Sequence, residues 1–298
     1  MKHRNISQQL KQAVRSNITL GHSKANERQM GISNRIYSIQ NSENMINTAN
    51  QFGKWLNQSH PEIKWAKQLT AEHAKEFILS QKAWNQNTAY AKASQINQLG
   101  RLINATYKCN INLKVDIAPP SEGKNIRDIA ITPSDLSLIR DSLAPGSNGR
   151  TAVEISSRCG LRIKEISHLR GNRINLDKQV IEVREGAKNG KYRDVPIRDK
   201  DIAYFRVLKE QAGIGYVTQG VKDDSLNRAI RRAMERCGVA DQYKLTTNHA
   251  IRKTYARERF NQELQNGKTK TAAWSHVQVE LGHGSQFREK LYNVYIGK

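Results

Sequence analysis

Two tyrosines near the end of the sequence follow a Gly-His pair. In the stretch LGHGSQFREKLYNVYIGK, Tyr292 lies nine positions after His283, and Tyr295 lies three positions further along. A tyrosine hydroxyl can act as a covalent nucleophile. More often, however, the tyrosine ring fills the edge of a core while the hydroxyl stays in water. The surrounding sequence has to show whether either tyrosine could react.

Two other segments place acid/base and basic residues one helical turn apart. In CGLRIKEISHLR, Arg162 precedes Glu165 by three positions, so both side chains lie on one face of a helix. In NHAIRKTYARERF, His249 and Arg252 have the same spacing. Taken alone, the first pair could be an ordinary surface ion pair and the second a phosphate contact.

A short β-hairpin is predicted between these two segments. Residues 179–185, QVIEVRE, and 192–197, YRDVPI, alternate apolar and polar residues as strands do. Asn189-Gly190 is a strong signal for a tight hairpin turn, and Lys188 and Lys191 flank it. The hairpin would carry a lysine at its tip.

The overall charge indicates the kind of partner. The chain has 298 residues and a formal net charge of +22, with a pI of about 10.0. Such a field attracts polyanions, and we expect a nucleic acid as the partner, although a positive surface can also serve solubility. The three cysteines are far apart in sequence and odd in number, which argues against disulfides and zinc. Without a signal peptide or an apolar run long enough to cross a bilayer, we expect a cytoplasmic protein with no membrane contact.

A chain of this length is expected to form two domains. Residues 1–40 are polar and predict an N-terminal arm or a weak helix. Apolar residues at helical spacing predict helices over 41–58, 70–83 and 88–107, within a helical domain of residues 41–115. Pro119-Pro120 and the absence of a helical period predict a linker over residues 116–131. The second domain covers residues 132–298.

Taken in order, these motifs resemble the tyrosine recombinase, or phage integrase, family. The shared series is Arg, a lysine in a hairpin, His-x-x-Arg, Gly-His and a tyrosine nine residues on, and it covers roughly residues 130–295. The resemblance implies a mostly α fold with a small β-sheet. A helical N-terminal core-binding domain would precede an α+β integrase-type catalytic domain.

The resemblance also assigns catalytic roles by position. It makes Arg162 and Arg252 the paired arginines that hold a phosphate, and it makes Lys188 the general acid on the hairpin. It selects Tyr292 as the nucleophile because the nine-residue interval matches the family, with Tyr295 packing beneath it or contacting a neighbouring protomer. The remaining positions are His249 of the His-x-x-Arg motif, His283 at a position held by His or Trp, and Glu165 as the acidic residue that orients the first arginine.

By this resemblance the protein is a site-specific DNA recombinase that forms a covalent 3′-phosphotyrosyl intermediate, expected to integrate or excise a mobile element. The chemistry requires no metal and no other cofactor. The implied partner is double-stranded DNA. Four protomers would assemble on two DNA sites, and accessory DNA-bending proteins are compatible with this arrangement. The alternatives are a type IB topoisomerase-like nicking-closing enzyme and a catalytically silent DNA-binding protein of the same fold. The silent protein is disfavoured because each catalytic position holds a competent residue.

Overall fold

A computed structural model describes residues 5–22, 24–32, 34–117, 129–190, 192–243 and 246–297. The chain divides into two compact units, Met1–Lys124 and Asn125–Lys298. Most of the predicted linker, residues 118–128, lies outside the described residues, as does Lys191. Among the helices that the structure describes, none is long and apolar enough to cross a membrane.

The N-terminal unit is helical, and its apolar side chains form one core. Its described helices are α1 (Ile6–Arg15), α2 (Lys24–Gln29), α3 (Ile39–Ser59), α4 (Ala71–Ser80) and α5 (Gln86–Tyr107). Phe52 of α3 and Phe77 of α4 meet with ring centroids 5.0 Å apart, and Leu99 of α5 is fully buried. The predicted helices over 41–58, 70–83 and 88–107 are confirmed, with ends that differ by a few residues.

Residues 1–40 differ from the predicted polar arm, because part of this segment belongs to the core. Asn5 and Gln8 form a reciprocal capping box that starts α1. Leu10 and Val14 are fully buried, and α1 packs against α3 and α5. The buried positions have helical spacing, but the many polar residues between them hide that period when the segment is judged by its composition.

The C-terminal unit combines helices with one small sheet. Its described helices are α6 (Pro133–Asp141), α7 (Asn148–Cys159), α8 (Ile163–Ser167), α9 (Ile202–Ala212), α10 (Asp223–Arg236), α11 (Ala240–Tyr243), α12 (Asn248–Gln265), α13 (Lys270–Glu280) and α14 (Glu289–Tyr295). The strands are β1 (Ile174–Asn175), β2 (Val180–Val183) and β3 (Arg193–Pro196). The mostly α fold with a small β-sheet is therefore confirmed.

The sheet is antiparallel, with strand order β1-β2-β3. The two strands predicted from alternation are β2 and β3, while the very short β1 was not predicted. Val183 pairs with Arg193, so the connection between β2 and β3 runs from residue 184 to residue 192. Lys188–Gly190 forms a 3-10 turn within this connection. The tight two-residue turn predicted at Asn189-Gly190 is therefore wrong, because pairing stops well before it.

The placement of α1 predicts a specific loss of stability. Replacing Leu10 by Ala should destabilise the N-terminal unit by about 2–5 kcal/mol, because it leaves a cavity in a packed core. Hydrogen–deuterium exchange of peptides from α3 and α5 should accelerate accordingly. Arg15→Ala, at an exposed position of the same helix, should change stability by less than about 0.5 kcal/mol. Unchanged exchange in Leu10→Ala would mean that this segment is an arm after all.

Candidate active site

Arg162 and Glu165 are positioned by the turn between α7 and α8. Gly160 ends α7 in the left-handed conformation, with φ of 60°, and Arg162 lies immediately before α8. One carboxylate oxygen of Glu165 accepts a hydrogen bond from the Arg162 backbone N–H, and the other accepts one from Nη1 of its guanidinium, both at 2.8 Å. The predicted pair is thus a local clamp that fixes Arg162 at a helix start.

Glu165 also binds a second arginine and lies close to a third. Arg193 of β3 donates to both carboxylate oxygens at 2.9 Å, and Nη1 of Arg252 lies 3.9 Å from one of them. The Glu165 side chain is completely buried. Burial alone would raise its pKa, but the hydrogen bonds and charge of Arg193, together with the charges of Arg252 and Arg162, lower the pKa to about 2. Glu165 therefore stays ionised and draws three guanidinium groups together.

Arg252 is buried and is held by backbone carbonyls. Its guanidinium donates from Nη1 to the carbonyl of Gly160 and from Nη2 to the carbonyl of Leu281. Only 1% of the residue is exposed. Gly160 and Leu281 cap the C-termini of α7 and α13, where unpaired carbonyls give a partial negative charge. These contacts use two of the five N–H donors of the guanidinium.

Both predicted histidines lie beside the ring of Tyr295. His249 precedes Arg252 by one turn of α12, and its ring meets that of Tyr295 edge to face, with centroids 5.6 Å apart. Nε2 of His283 lies 3.3 Å from the Tyr295 hydroxyl. Burial lowers the pKa of His283, and the charges of Arg252, Arg162 and other nearby cations lower it further, to about 3. The imidazole of His283 is therefore neutral near pH 7.

The two tyrosines of α14 are placed the other way round from the sequence expectation. The Tyr295 hydroxyl accepts a hydrogen bond from Nε of Arg252 at 3.3 Å, and the residue is 2% exposed. Tyr292 instead packs among aromatic rings, with Phe260 at 5.7 Å, Trp274 at 5.9 Å and Phe287 at 6.0 Å between centroids. The structure thus brings Tyr295, rather than Tyr292, to the arginines and histidines, while the choice of the reactive tyrosine stays a prediction. The helix period alone could not separate two residues three positions apart.

Lys188 lies near this cluster but is exposed. It begins the 3-10 turn between β2 and β3, and its charge is close enough to help lower the pKa of His283.

Arg193 is a contributor that the site prediction missed. Side chains two positions apart point to the same face of a strand, so Arg193 shares the face of fully buried Val195. An arginine on the inward face of a strand requires a buried anion. An arginine at an inward-facing position of a predicted strand was therefore the sequence signal that could have identified Arg193. Glu165 supplies the buried anion.

Comparisons with known proteins identify the family and the fold of the chain. The sequence pattern of the phage integrase family matches residues 131–285, just over half of the chain. No curated protein sequence matches the chain. Among solved structures, the Tn1549 transposon integrase in complex with transposon right end DNA is 16% identical, covering 98% of this chain and 95% of that chain, with a TM-score of 0.63. A lambda integrase dimer bound to a COC′ core site is 15% identical, covering 91% of this chain and 92% of that chain, with a TM-score of 0.63.

A lambda integrase tetramer bound to a Holliday junction is also similar. It is 15% identical, covering 92% of this chain and 76% of that chain, with a TM-score of 0.62. At such identities the structural likeness establishes the fold, whereas the sequence pattern establishes the family. The fold and the site define a tyrosine site-specific recombinase. The chain belongs to the phage integrase family.

The buried position of Glu165 leads to a prediction about stability. Glu165→Gln keeps the side-chain shape but removes the charge that offsets three guanidinium groups, so unfolding should become easier by about 3–5 kcal/mol at neutral pH. Urea denaturation of the two proteins measures this difference. Asp194→Asn is the control, because Asp194 pairs with Arg184 at a half-exposed site and should contribute less than about 1 kcal/mol.

The same variant predicts how the difference in unfolding free energy from wild type changes with pH. The pKa of Glu165 is lower in the folded chain, about 2, than its ordinary value of 4.5. Glu165 therefore contributes fully to stability when the pH is above its ordinary pKa of 4.5, and this contribution is lost as the pH falls towards its folded-state pKa of about 2. The stability difference between wild type and Glu165→Gln should narrow over this range. Equal stabilities at neutral pH would show that Glu165 does not hold the arginines together.

Proposed function

We propose that this recombinase integrates or excises a mobile element by cutting and rejoining duplex DNA through a 3′-phosphotyrosyl intermediate. The observation that carries the proposal is the convergence of Arg252 and His283 on the hydroxyl of one tyrosine in α14, with the ring of His249 against the ring of the same tyrosine. Arg162 lies close to Arg252 because both guanidinium groups approach the carboxylate of Glu165. Guanidinium groups at this position can hold the non-bridging oxygens of a phosphodiester.

Each residue has a defined role in the proposed reaction. Arg162 and Arg252 stabilise the negative charge that develops on the phosphate during attack, and His249 and His283 flank the attacking tyrosine. Lys188 gives a proton to the 5′ oxygen as it leaves. The covalent phosphotyrosyl bond conserves the energy of the broken phosphodiester, so the 5′ hydroxyl of another strand can reverse the reaction.

The proposed partner is duplex DNA, and the proposed setting is the cytoplasm. The net charge of +22 supports the contact of both units with phosphates, the N-terminal unit acting as the core-binding domain. We place four protomers on two DNA sites during strand exchange, with room for accessory DNA-bending proteins. The lambda integrase tetramer on a Holliday junction is the similar assembly that supports this number.

Supercoiled plasmid DNA tests the proposed activity. A binding site is first selected from a duplex pool with a randomised core and is then cloned once or twice into a plasmid. In a buffer with a metal chelator, the two-site plasmid should yield recombinant circles. Relaxation without recombinants would favour a nicking-closing enzyme, and binding without either product would favour a silent DNA-binding protein.

Lys188 provides a prediction about the general acid. Lys188→Ala should slow cleavage by roughly 100-fold or more. A substrate with sulfur at the 5′ bridging position needs no proton on its leaving group and should restore the rate. Lys178→Ala is the matched control, an exposed lysine in the turn between β1 and β2, and it should cleave both substrates normally. If Lys191→Ala shows this rescue and Lys188→Ala does not, the general acid is Lys191.

A further inference from the structure

The two tyrosines of α14 have surroundings that suit different tasks. We propose that Tyr295 is the nucleophile and that Tyr292 is a packing residue that docks α14 against the catalytic unit. This inference rests on the proposed function and names the residue that forms its covalent intermediate. The match to the family pattern ends at residue 285, before either tyrosine, so the family membership does not decide between them.

The hydroxyl of Tyr295 already has the partners that a nucleophile needs. It lies 3.3 Å from Nε of Arg252, which donates to it, and 3.3 Å from Nε2 of His283, which can accept its proton. The rings of His249 and His283 flank the Tyr295 ring, each at a centroid distance of 5.6 Å. Because Tyr295 is almost fully buried among these groups, its hydroxyl is held in position before DNA arrives.

Tyr292 lies beside a different part of α12. Its ring packs against Phe260, which follows His249 by three turns of the helix, about 16 Å along the axis. Trp274 and Phe287 complete the aromatic surroundings, and Nζ of Lys270 lies 4.8 Å from the Tyr292 ring centre. These contacts hold α14 in place through the ring of Tyr292. Among the described residues, no arginine of the cluster donates a hydrogen bond to Tyr292.

The spacing in the chain explains how the reactive position differs from the nine-residue expectation. Residues 284–288 are exposed and connect His283 to the start of α14 at Glu289. Three additional residues before the reactive tyrosine shift it by nearly one helical turn, about 4.5 Å along the axis. An exposed connection can absorb that length without moving the core, so the interval alone is a weak criterion for choosing the tyrosine.

The proposed step balances with groups on this chain. The Tyr295 hydroxyl transfers its proton to Nε2 of His283, and its oxygen bonds to the scissile phosphorus. The bond from phosphorus to the 5′ oxygen breaks, and that oxygen takes a proton from Lys188. A bound phosphate offsets the cationic charges around His283, which makes its imidazole a better proton acceptor once DNA is present. Strand rejoining runs the same steps in reverse.

The test compares Tyr295→Phe, Tyr292→Phe and the double variant in the full chain. Each substitution removes one hydroxyl and keeps the ring, so thermal unfolding and DNA binding should stay close to wild type. The DNA is a duplex selected for binding to the unreactive double variant, prepared as a set with a nick at successive positions, so that cleavage releases a short strand and traps the protein. Denaturing electrophoresis counts the covalent complexes, and mass spectrometry of the labelled peptide locates the adduct.

We expect Tyr292→Phe to trap DNA within a few-fold of wild type, and Tyr295→Phe to bind DNA but form no complex. The wild-type adduct should map to Tyr295. An adduct on Tyr292, or complexes that persist in Tyr295→Phe, would overturn this assignment and leave the proposed recombinase chemistry in place. Failure of the wild-type protein to form any adduct on DNA that it binds would instead overturn the proposed function and this assignment together.

Discussion

Three guanidinium groups must lie close together in this protein before any DNA phosphate is present to neutralise them. Arg162, Arg193 and Arg252 all approach the single carboxylate of Glu165. Two like charges 4 Å apart repel by roughly 4 kcal/mol at an effective dielectric constant of 20. One carboxylate offsets only part of that repulsion among three cations. The carbonyl groups that end α7 and α13 supply further negative potential, and Arg252 lies against both.

Two glycines lie at the site, each where the backbone approaches a neighbouring side chain closely. The carbonyl of Gly160 accepts from Arg252, and a side chain at Gly160 would place its Cβ only 2.3 Å from the ring of Tyr255. Gly282 has φ of 71°, and its Cβ would lie 2.9 Å from Nη1 of Arg193. The backbone therefore approaches the arginine side chains closely at Gly282, whereas at Gly160 it approaches Tyr255 and offers its carbonyl to Arg252. An excess of positive charge remains at the cluster, and in the proposed function a bound phosphodiester would balance it.

Local patterns predicted the residues whose positions depend on local structure. Arg162 with Glu165, and His249 with Arg252, are set by spacing within one helical turn. The structure brings Arg162, Glu165 and Arg252 together. It places His249 against the ring of Tyr295, whose hydroxyl Arg252 contacts. Long-range placement was harder to predict. Tyr295 reaches Arg252 because α14 docks against α12 and α13 through aromatic packing, and no count of residues after a motif encodes that docking. The burial of α1 was missed for a related reason, since it depends on a partner face in α3 and α5.

The position of α13 links the active site to the rest of the catalytic unit. The side chain of Glu280 accepts hydrogen bonds from Tyr255 and Arg259 of α12, and its backbone carbonyl accepts one from Arg193 of β3 at 2.6 Å. Glu263 reinforces the contact by binding Arg259 on its own helix. The last turn of α13 is thus tied to α12 on one side and to the sheet on the other. Since Leu281, the next residue, offers its carbonyl to Arg252, this buried network sets where that arginine can point. Arg252 is therefore positioned by how three elements pack as well as by its own helix.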